Sequence, residues 1–167
     1  RGNDKQLKII FVGRLEKDTG STIYLKALEN LKNNKIAYNL DVYGDGSEKN
    51  HFALYGKVHG FTKDLHTAIA AADIVLVSSY LSILQAMAHK KLVMAVYDNP
   101  LKEDYLRMAP FAPFIIIEKD PEKVAEKIVY YLEHSKEKKE MIEKAYAWSL
   151  KQSWENVADG YRNLWKN

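Results

Sequence analysis

Short, continuously apolar runs alternate with stretches of helical spacing along almost the whole chain. The runs are Lys8-Ile9-Ile10-Phe11-Val12, Ile74-Val75-Leu76-Val77, Leu92-Val93-Met94-Ala95-Val96 and Phe114-Ile115-Ile116-Ile117. A strand that is apolar at successive positions has no solvent face, so both of its sides need cover. Strands of that kind belong to parallel sheets, where the chain returns through helices that lie on the two faces. The pattern therefore predicts an α/β fold, a three-layer α/β/α sandwich around a mostly parallel sheet of about six strands.

The remaining elements fill in around these strands. A helix starts near Gly20-Ser21-Thr22, with Ile23, Tyr24, Leu25, Ala27, Leu28 and Leu31 on its core face, and ends at Asn33-Asn34-Lys35. Tyr38 to Tyr43 alternates as a strand and stops at the turn cluster Gly44-Asp45-Gly46-Ser47. His51 to Tyr55 reads as a short strand, with Gly56 to Gly60 after it. Thr62 or Asp64 opens a helix through Leu65, Ala68, Ile69 and Ala72, and Ser78 to Ala88 gives a small polar turn and a short helix. Leu101 to Met108 is a further short helix, and Pro121 suits the start of one whose inner face carries Val124, Ile128 and Leu132. A charged helix from Lys136 to Tyr146 presents a solvated face, and a last helix runs from Trp154 to Trp165.

Composition bounds the function. At 167 residues and 47% hydrophobic, the chain can bury the core of one domain, taken as residues 1–167. A net charge of +3 is too weak to imply a nucleic-acid partner. The absence of cysteine excludes disulfides and thiolate metal sites and fits a cytoplasmic protein. No apolar run approaches the ~20 residues of a membrane span. The five histidines have no metal-ligand spacing, so no metal site is expected. No Ser/His/Asp set or carboxylate pair favours hydrolysis, and no G-x-G-x-x-G follows the first strand to hold a nicotinamide cofactor. The chain opens at Arg1 and enters a strand almost at once, as a piece of a longer protein would.

In open α/β sheets, ligands bind outside the carboxyl ends of the strands, near a reversal of strand order. That directs attention to Gly13 to Gly20, Gly44 to Ser47, Gly60 to Asp64 and Ser78 to Ser82. Arg14 follows a buried strand directly, where a guanidinium can hold a phosphate. Its alternative is a surface pair with Glu16 or Asp18. Ser78, Ser79 and Ser82 stand where a strand opens into a helix, and helix N-termini offer free amides to anions. Plain helix capping explains them equally well. Gln85 lies one turn further on and can bond a sugar hydroxyl, or be an ordinary surface glutamine. Phe61 can stack on a ring or be a core aromatic.

The order of these motifs resembles the C-terminal nucleotide-sugar-binding domain of retaining glycosyltransferases built from two Rossmann-like domains, the GT-B fold of glycosyltransferase group 1. Val12-Gly13-Arg14-Leu15 resembles that family's opening "VGRL", and Gly44-Asp45-Gly46-Ser47 its glycine turn after the second strand. Ala71 to Ser79 resembles its "aADv" strand, Ala86-Met87-Ala88 its "EAmA" helix, and Ser153-Trp154-Glu155 its C-terminal "sWe". The resemblance implies a nucleoside-diphosphate sugar as donor substrate, with no cofactor required, and transfer of a hexose to a saccharide or lipid-linked acceptor. That acceptor would be held by an N-terminal domain outside this chain, so the isolated domain is expected to be inactive. It implies a role in polysaccharide biosynthesis and a cytoplasmic location, at the inner membrane face if the full-length protein associates peripherally.

Residue by residue, the resemblance gives Arg14 the catalytic role at the diphosphate. It assigns donor binding to Gly13, Arg14, Thr19, Gly44, Gly60, Phe61, Ser79, Leu81, Ser82, Ile83 and Gln85. Four features depart from the family, one being His89-Lys90-Lys91-Leu92-Val93, which lacks the glycine and proline of its "aGkPV". Thr19 stands where a lysine shares the diphosphate, with Lys17 two residues away. Gln85 stands where a glutamate bonds the ribose, and Val77 falls at the spacing of a second glutamate that faces the sugar. Two rival readings follow: a non-catalytic glycosyltransferase-like module with a degenerate donor site, and a sugar-nucleotide epimerase of the same architecture.

Overall fold

The computed structural model describes residues 6–77 and 79–152. Ser78, the expected final helix and the Ser153-Trp154-Glu155 motif lie outside the described residues. Six strands form one sheet: β1 (Leu7–Val12), β2 (Tyr38–Tyr43), β3 (Lys57–Gly60), β4 (Ile74–Val77), β5 (Leu92–Val96) and β6 (Ile116–Glu118). Every pairing is parallel and the spatial order is β3-β2-β1-β4-β5-β6. This is the Rossmann-like order, with its reversal between β1 and β4.

Side-chain alternation divides the core. Ile9, Phe11, Ile74, Leu76, Met94 and Val96 face one layer, where α1 (Ser21–Asn33), α2 (Lys49–Phe52) and α6 (Pro121–Glu133) pack. Ile10, Val12, Val75, Val77, Val93 and Ala95 face the other. That layer holds α3 (Leu65–Ala71), α4 (Tyr80–Ala88), α5 (Pro100–Arg107) and α7 (Ser135–Ser149). β4 and β5 are buried at every position, as their unbroken apolar runs require.

Four expectations need correction. His51 to Tyr55 is not a strand: Lys49–Phe52 is a helical turn that buries Phe52 against Phe11, with ring centroids 4.9 Å apart. The third strand is instead Lys57–Gly60, within the segment read as following it. It is a sheet edge that needs only Val58 for its partly buried contact, so it carries no apolar run. The sixth strand begins two residues late, because a 3-10 turn at Ala112–Phe114 takes up the start of the apolar run. On α6 the buried residues are Val124, Ala125 and Ile128, while Leu132 is exposed. The charged helix also has an inner side, where Ala145 is buried and Met141, Ile142 and Trp148 pack against the two cores.

Tyr24 bolts α1 across the switch. Its ring is fully buried and meets Phe11 edge-on, with centroids 5.6 Å apart. Its hydroxyl lies 2.8 Å from both the Val77 and the Met94 carbonyl oxygens and donates to them, joining α1 to β4 and β5. Burial pushes the phenol well above its ordinary pKa, so it stays a donor at any working pH. Tyr24→Phe strips both carbonyls of this donor. It should cost about 1–3 kcal/mol of stability, read as a lower urea midpoint at an unchanged denaturant slope.

Candidate functional site

The loops that leave β1, β2 and β3 are stitched together by their own backbones. Gly13 N donates to Tyr43 O at 3.1 Å, Leu15 N to Asp45 O at 3.0 Å and Glu48 N to Leu15 O at 2.8 Å. Gly44 N donates to Gly60 O at 2.9 Å. Gly13 and Gly44 approach so closely that a Cβ on Gly44 would run into the Gly13 carbonyl oxygen, so only glycine fits there. The glycines after β1 and β2 thus set a flat, closely joined floor before any ligand is considered.

Side chains lock the first loop. Glu16 accepts from Ser47 Oγ at 2.6 Å and from Ser47 N at 3.0 Å. Those bonds hold its carboxyl below the usual pKa. The Thr19 hydroxyl is buried and donates toward Arg14 O at 2.9 Å and Glu16 O at 2.6 Å; Ser21 Oγ donates to Glu16 O at 2.8 Å. Thr19 and Ser21 therefore spend their single protons inside the loop. Arg14 remains outward. Its Nη2 donates to Asp18 Oδ2 at 3.0 Å, with both side chains 67% exposed. The surface pair weighed from the sequence is the one that forms.

Above this floor lies a cavity of about 440 Å³, at the carboxyl ends of the strands. Val12, Gly13, Arg14 and Thr19 line it from the first loop, Tyr43 and Gly44 from the second, Gly60, Phe61, Thr62 and Leu65 from the third, and Ser79 from the start of α4. Phe61 is 84% exposed, so its ring is free to cover whatever enters and is not a core aromatic. A cavity of about 730 Å³ opens elsewhere, beside the start of β6 near α6 and α7. It lies away from the switch, and the smaller cavity is the one with backbone loops converging on it.

Seven of the sequence-derived residues therefore meet: Gly13, Arg14, Thr19, Gly44, Gly60, Phe61 and Ser79. Leu81, Ser82, Ile83 and Gln85 do not line the cavity. Ser79 caps α4, accepting from Ser82 N, and the Ser79 and Ser82 hydroxyls lie 2.9 Å apart. Ser82 and Ile83 are buried and Leu81 is exposed. Gln85 is half-buried, one turn further along the helix. Helix geometry leaves the amides of Tyr80 and Leu81 without intrahelical acceptors, directly after Ser79, which lines the cavity. The sequence did not single out Tyr43 or Leu65. Tyr43 is the last residue of β2, directly before a turn glycine, and that strand-end position was the signal available. His59 stacks on the Tyr43 ring, with centroids 4.7 Å apart, and bonds Asp41 at 2.6 Å. Among the described residues no group of three or more His, Asp or Glu side chains is placed to hold a metal ion. No described helix is long and apolar enough to cross a membrane.

Comparison with known proteins finds the same fold in solved glycosyltransferase structures. A glycosyltransferase from Rickettsia africae ESF-5 superposes with a TM-score of 0.76 at 18% identity, over 98% of this chain and 48% of that one. HepE of Anabaena, solved in complex with UDP and glucose, superposes with a TM-score of 0.71 at 18% identity, over 96% of this chain and 48% of that one. The C-terminal domain of LpcC, a group 1 family glycosyltransferase of Francisella tularensis, gives 0.66 at 19% identity, over 87% of this chain and 85% of that one. The chain spans about half the length or less of several of the structures it matches. Comparison with curated proteins finds no match. The family model for glycosyl transferases group 1 matches residues 1–148, so the chain belongs to that family and has the fold of its C-terminal donor-binding domain.

Proposed function

We propose that this chain is the donor-binding half of a retaining glycosyltransferase, a single domain that takes a nucleoside-diphosphate sugar and presents it for hexose transfer. The observation that carries the reading is the cavity at the β1/β4 switch, where one exposed guanidinium stands over a floor of joined glycine loops. A volume of about 440 Å³ is in the range of small-molecule sites. The nucleobase lies between Phe61, Tyr43 and Leu65, and the diphosphate lies toward Arg14 and the first turn of α4. HepE, whose fold this chain shares, has been solved with UDP-glucose, which supports a uridine nucleotide as the first donor to try.

Chemically the arrangement suits departure of a diphosphate. Cleavage of the anomeric bond drives electron density onto the leaving phosphate. A guanidinium and helix N-terminal amides stabilise that charge where it develops. No cofactor is required by this chemistry. The acceptor, a saccharide or a lipid-linked sugar, would be held by an N-terminal domain, in an enzyme of the cytoplasm that serves polysaccharide biosynthesis at the inner membrane face. Arg14→Ala should weaken UDP or GDP binding to the 167-residue chain about tenfold or more in calorimetric titration, because a charge-assisted bidentate contact is lost. Wild-type chain that ignores both nucleotides at millimolar concentration would sink the donor-site reading.

One observation favours a second reading, a non-catalytic module with a degenerate donor site. β4 ends at Val77 and α4 begins at Tyr80, so two residues connect them and Val77 itself is buried. Ser78 and Ser79 bring no carboxylate to that connection, and Gln85, which does not line the cavity, offers a ribose at most a neutral bond. Gln85→Glu adds a charge-assisted bond of about 1.5–3 kcal/mol against about 1 for the amide. In the full-length protein an active enzyme should keep or gain transfer activity with this change. A protein inactive with both residues on every nucleotide sugar tested would be the module.

A further inference from the structure

Arg14 is the sole cationic side chain among the described residues that line the cavity, and Asp18 already neutralises it at 3.0 Å. A nucleoside diphosphate brings at least two negative charges. Once it draws Arg14 to itself, Asp18 is left unpaired beside it, and the loop then holds more negative than positive charge. Lys17 of the same loop is exposed and does not line the cavity, so the second cation that would balance a diphosphate has to reach in from elsewhere.

The protein holds one in reserve. Lys102 is on the first turn of α5, where its own N–H donates to the Asn99 cap at 2.9 Å. Its side chain runs back beneath the β1–α1 loop. The Nζ is buried and has no hydrogen-bond partner among the described residues. It lies 3.7 Å from the position a Cβ on Gly20 would occupy, at the left-handed residue that joins the Lys17–Thr19 turn to α1. The charges that act on it are Asp98 at the end of β5, and Asp18 and Arg14 in the loop above. Burial pulls its amine below the ordinary lysine range in spite of the two aspartates. Leaving an ammonium desolvated and unpaired is costly, and a pure packing role would be filled better by methionine. A lysine stem is flexible and its ammonium compact, so it can rise from this slot toward the loop.

We propose that Lys102 is the second cation of the donor site, moving to Asp18 and the diphosphate when the ligand takes Arg14. This rests on the donor-site reading above. In the ligand-free protein the Arg14–Asp18 pair and the buried ammonium are two halves of one exchange. Ligand binding breaks the first, and the charges it exposes draw out the second.

The test is calorimetric titration of the 167-residue chain with UDP, GDP and ADP, and with the matching monophosphates, for wild type, Arg14→Ala and Lys102→Met. Lys102→Met should lose about tenfold in affinity for the best diphosphate, with little change for its monophosphate, while its melting temperature stays level or rises. Equal affinity for the diphosphate, or an equal loss for both nucleotides, overturns the proposal. A measurement on wild type alone keeps the question open to failure if the variant misfolds. Because burial holds the Lys102 amine below its ordinary range, binding should draw protons onto it at alkaline pH, seen as a dependence of the heat on buffer ionisation enthalpy. Its absence also overturns the proposal. If Arg14→Ala weakens diphosphate binding and Lys102→Met does not, this inference fails and the donor site stands. If wild type binds none of the three diphosphates, both fail.

Discussion

The structure depends on the parting of the crossovers at β1. From β1 the chain goes to β2 through α1 on one face, while β4 on its other side leads into α4 on the opposite face. Two connections that diverge cannot fill the space above the strands between them, so a crevice is unavoidable at that edge. Everything else at the site serves to shape it. Gly13 and Gly44 let two loops touch at the floor, Glu16 and Ser47 tie their outer ends, and Tyr24 fixes α1 to the strands across the switch. The same hydrophobic demand that makes the strands parallel and buried therefore makes the crevice.

Within that crevice, rigid and exchangeable parts are separated. Backbone bonds, Thr19 and Ser21 hold the first loop, and none of them depends on a ligand. The Arg14–Asp18 pair is different. Both side chains are two-thirds exposed, and an ion pair in such surroundings is worth about 0–1 kcal/mol. A phosphate can replace Asp18 as the partner of Arg14 at little cost. A preformed loop with one cheaply released cation is an economical arrangement for an anionic ligand, because ordering is done beforehand and little is given up on binding.

Legibility in the sequence follows the strength of the physical signal. β1, β4 and β5 were visible because strands buried on both faces must be apolar at successive positions. β3 was not, because an edge strand of four residues needs one apolar contact, and His51 to Tyr55 nearby has more apolar and aromatic character than the true strand. Leu132 fits the spacing of the α6 face, yet on that turn it is Val129 and Tyr131 that pack against the core while Leu132 is exposed, and spacing alone does not say how the helix is rotated on its partner. At the site, Gly13, Arg14, Gly44 and Gly60 could be found because strand ends and turn glycines are local features. Leu81 and Ile83 could not be sorted, since burial around a short helix depends on the layer above it. Lys102 carried no signal at all: its position beneath Gly20 comes from the adjacency of β5 to the α1 entry, which is tertiary.

The β4–α4 connection shows how one length constraint moves chemistry from one part of a site to another. With two residues between Val77 and Tyr80, the chain must turn at once into α4, and Ser79 is committed to capping it through Ser82. Neither of those two residues is acidic, so the connection brings no carboxylate to a sugar. Ser79, the N-cap of α4, lines the cavity together with Arg14 and Thr19, so the start of that helix, with its positive dipole end, lies at the site. In the donor-site reading, recognition then weighs toward the diphosphate rather than the hexose. Charge held by Arg14, by Lys102 and by helix amides is indifferent to the sugar beyond it. Sugar selection falls to groups outside this half of the site. In that reading the domain would fix where the leaving group sits and leave the choice of what is transferred to groups outside it.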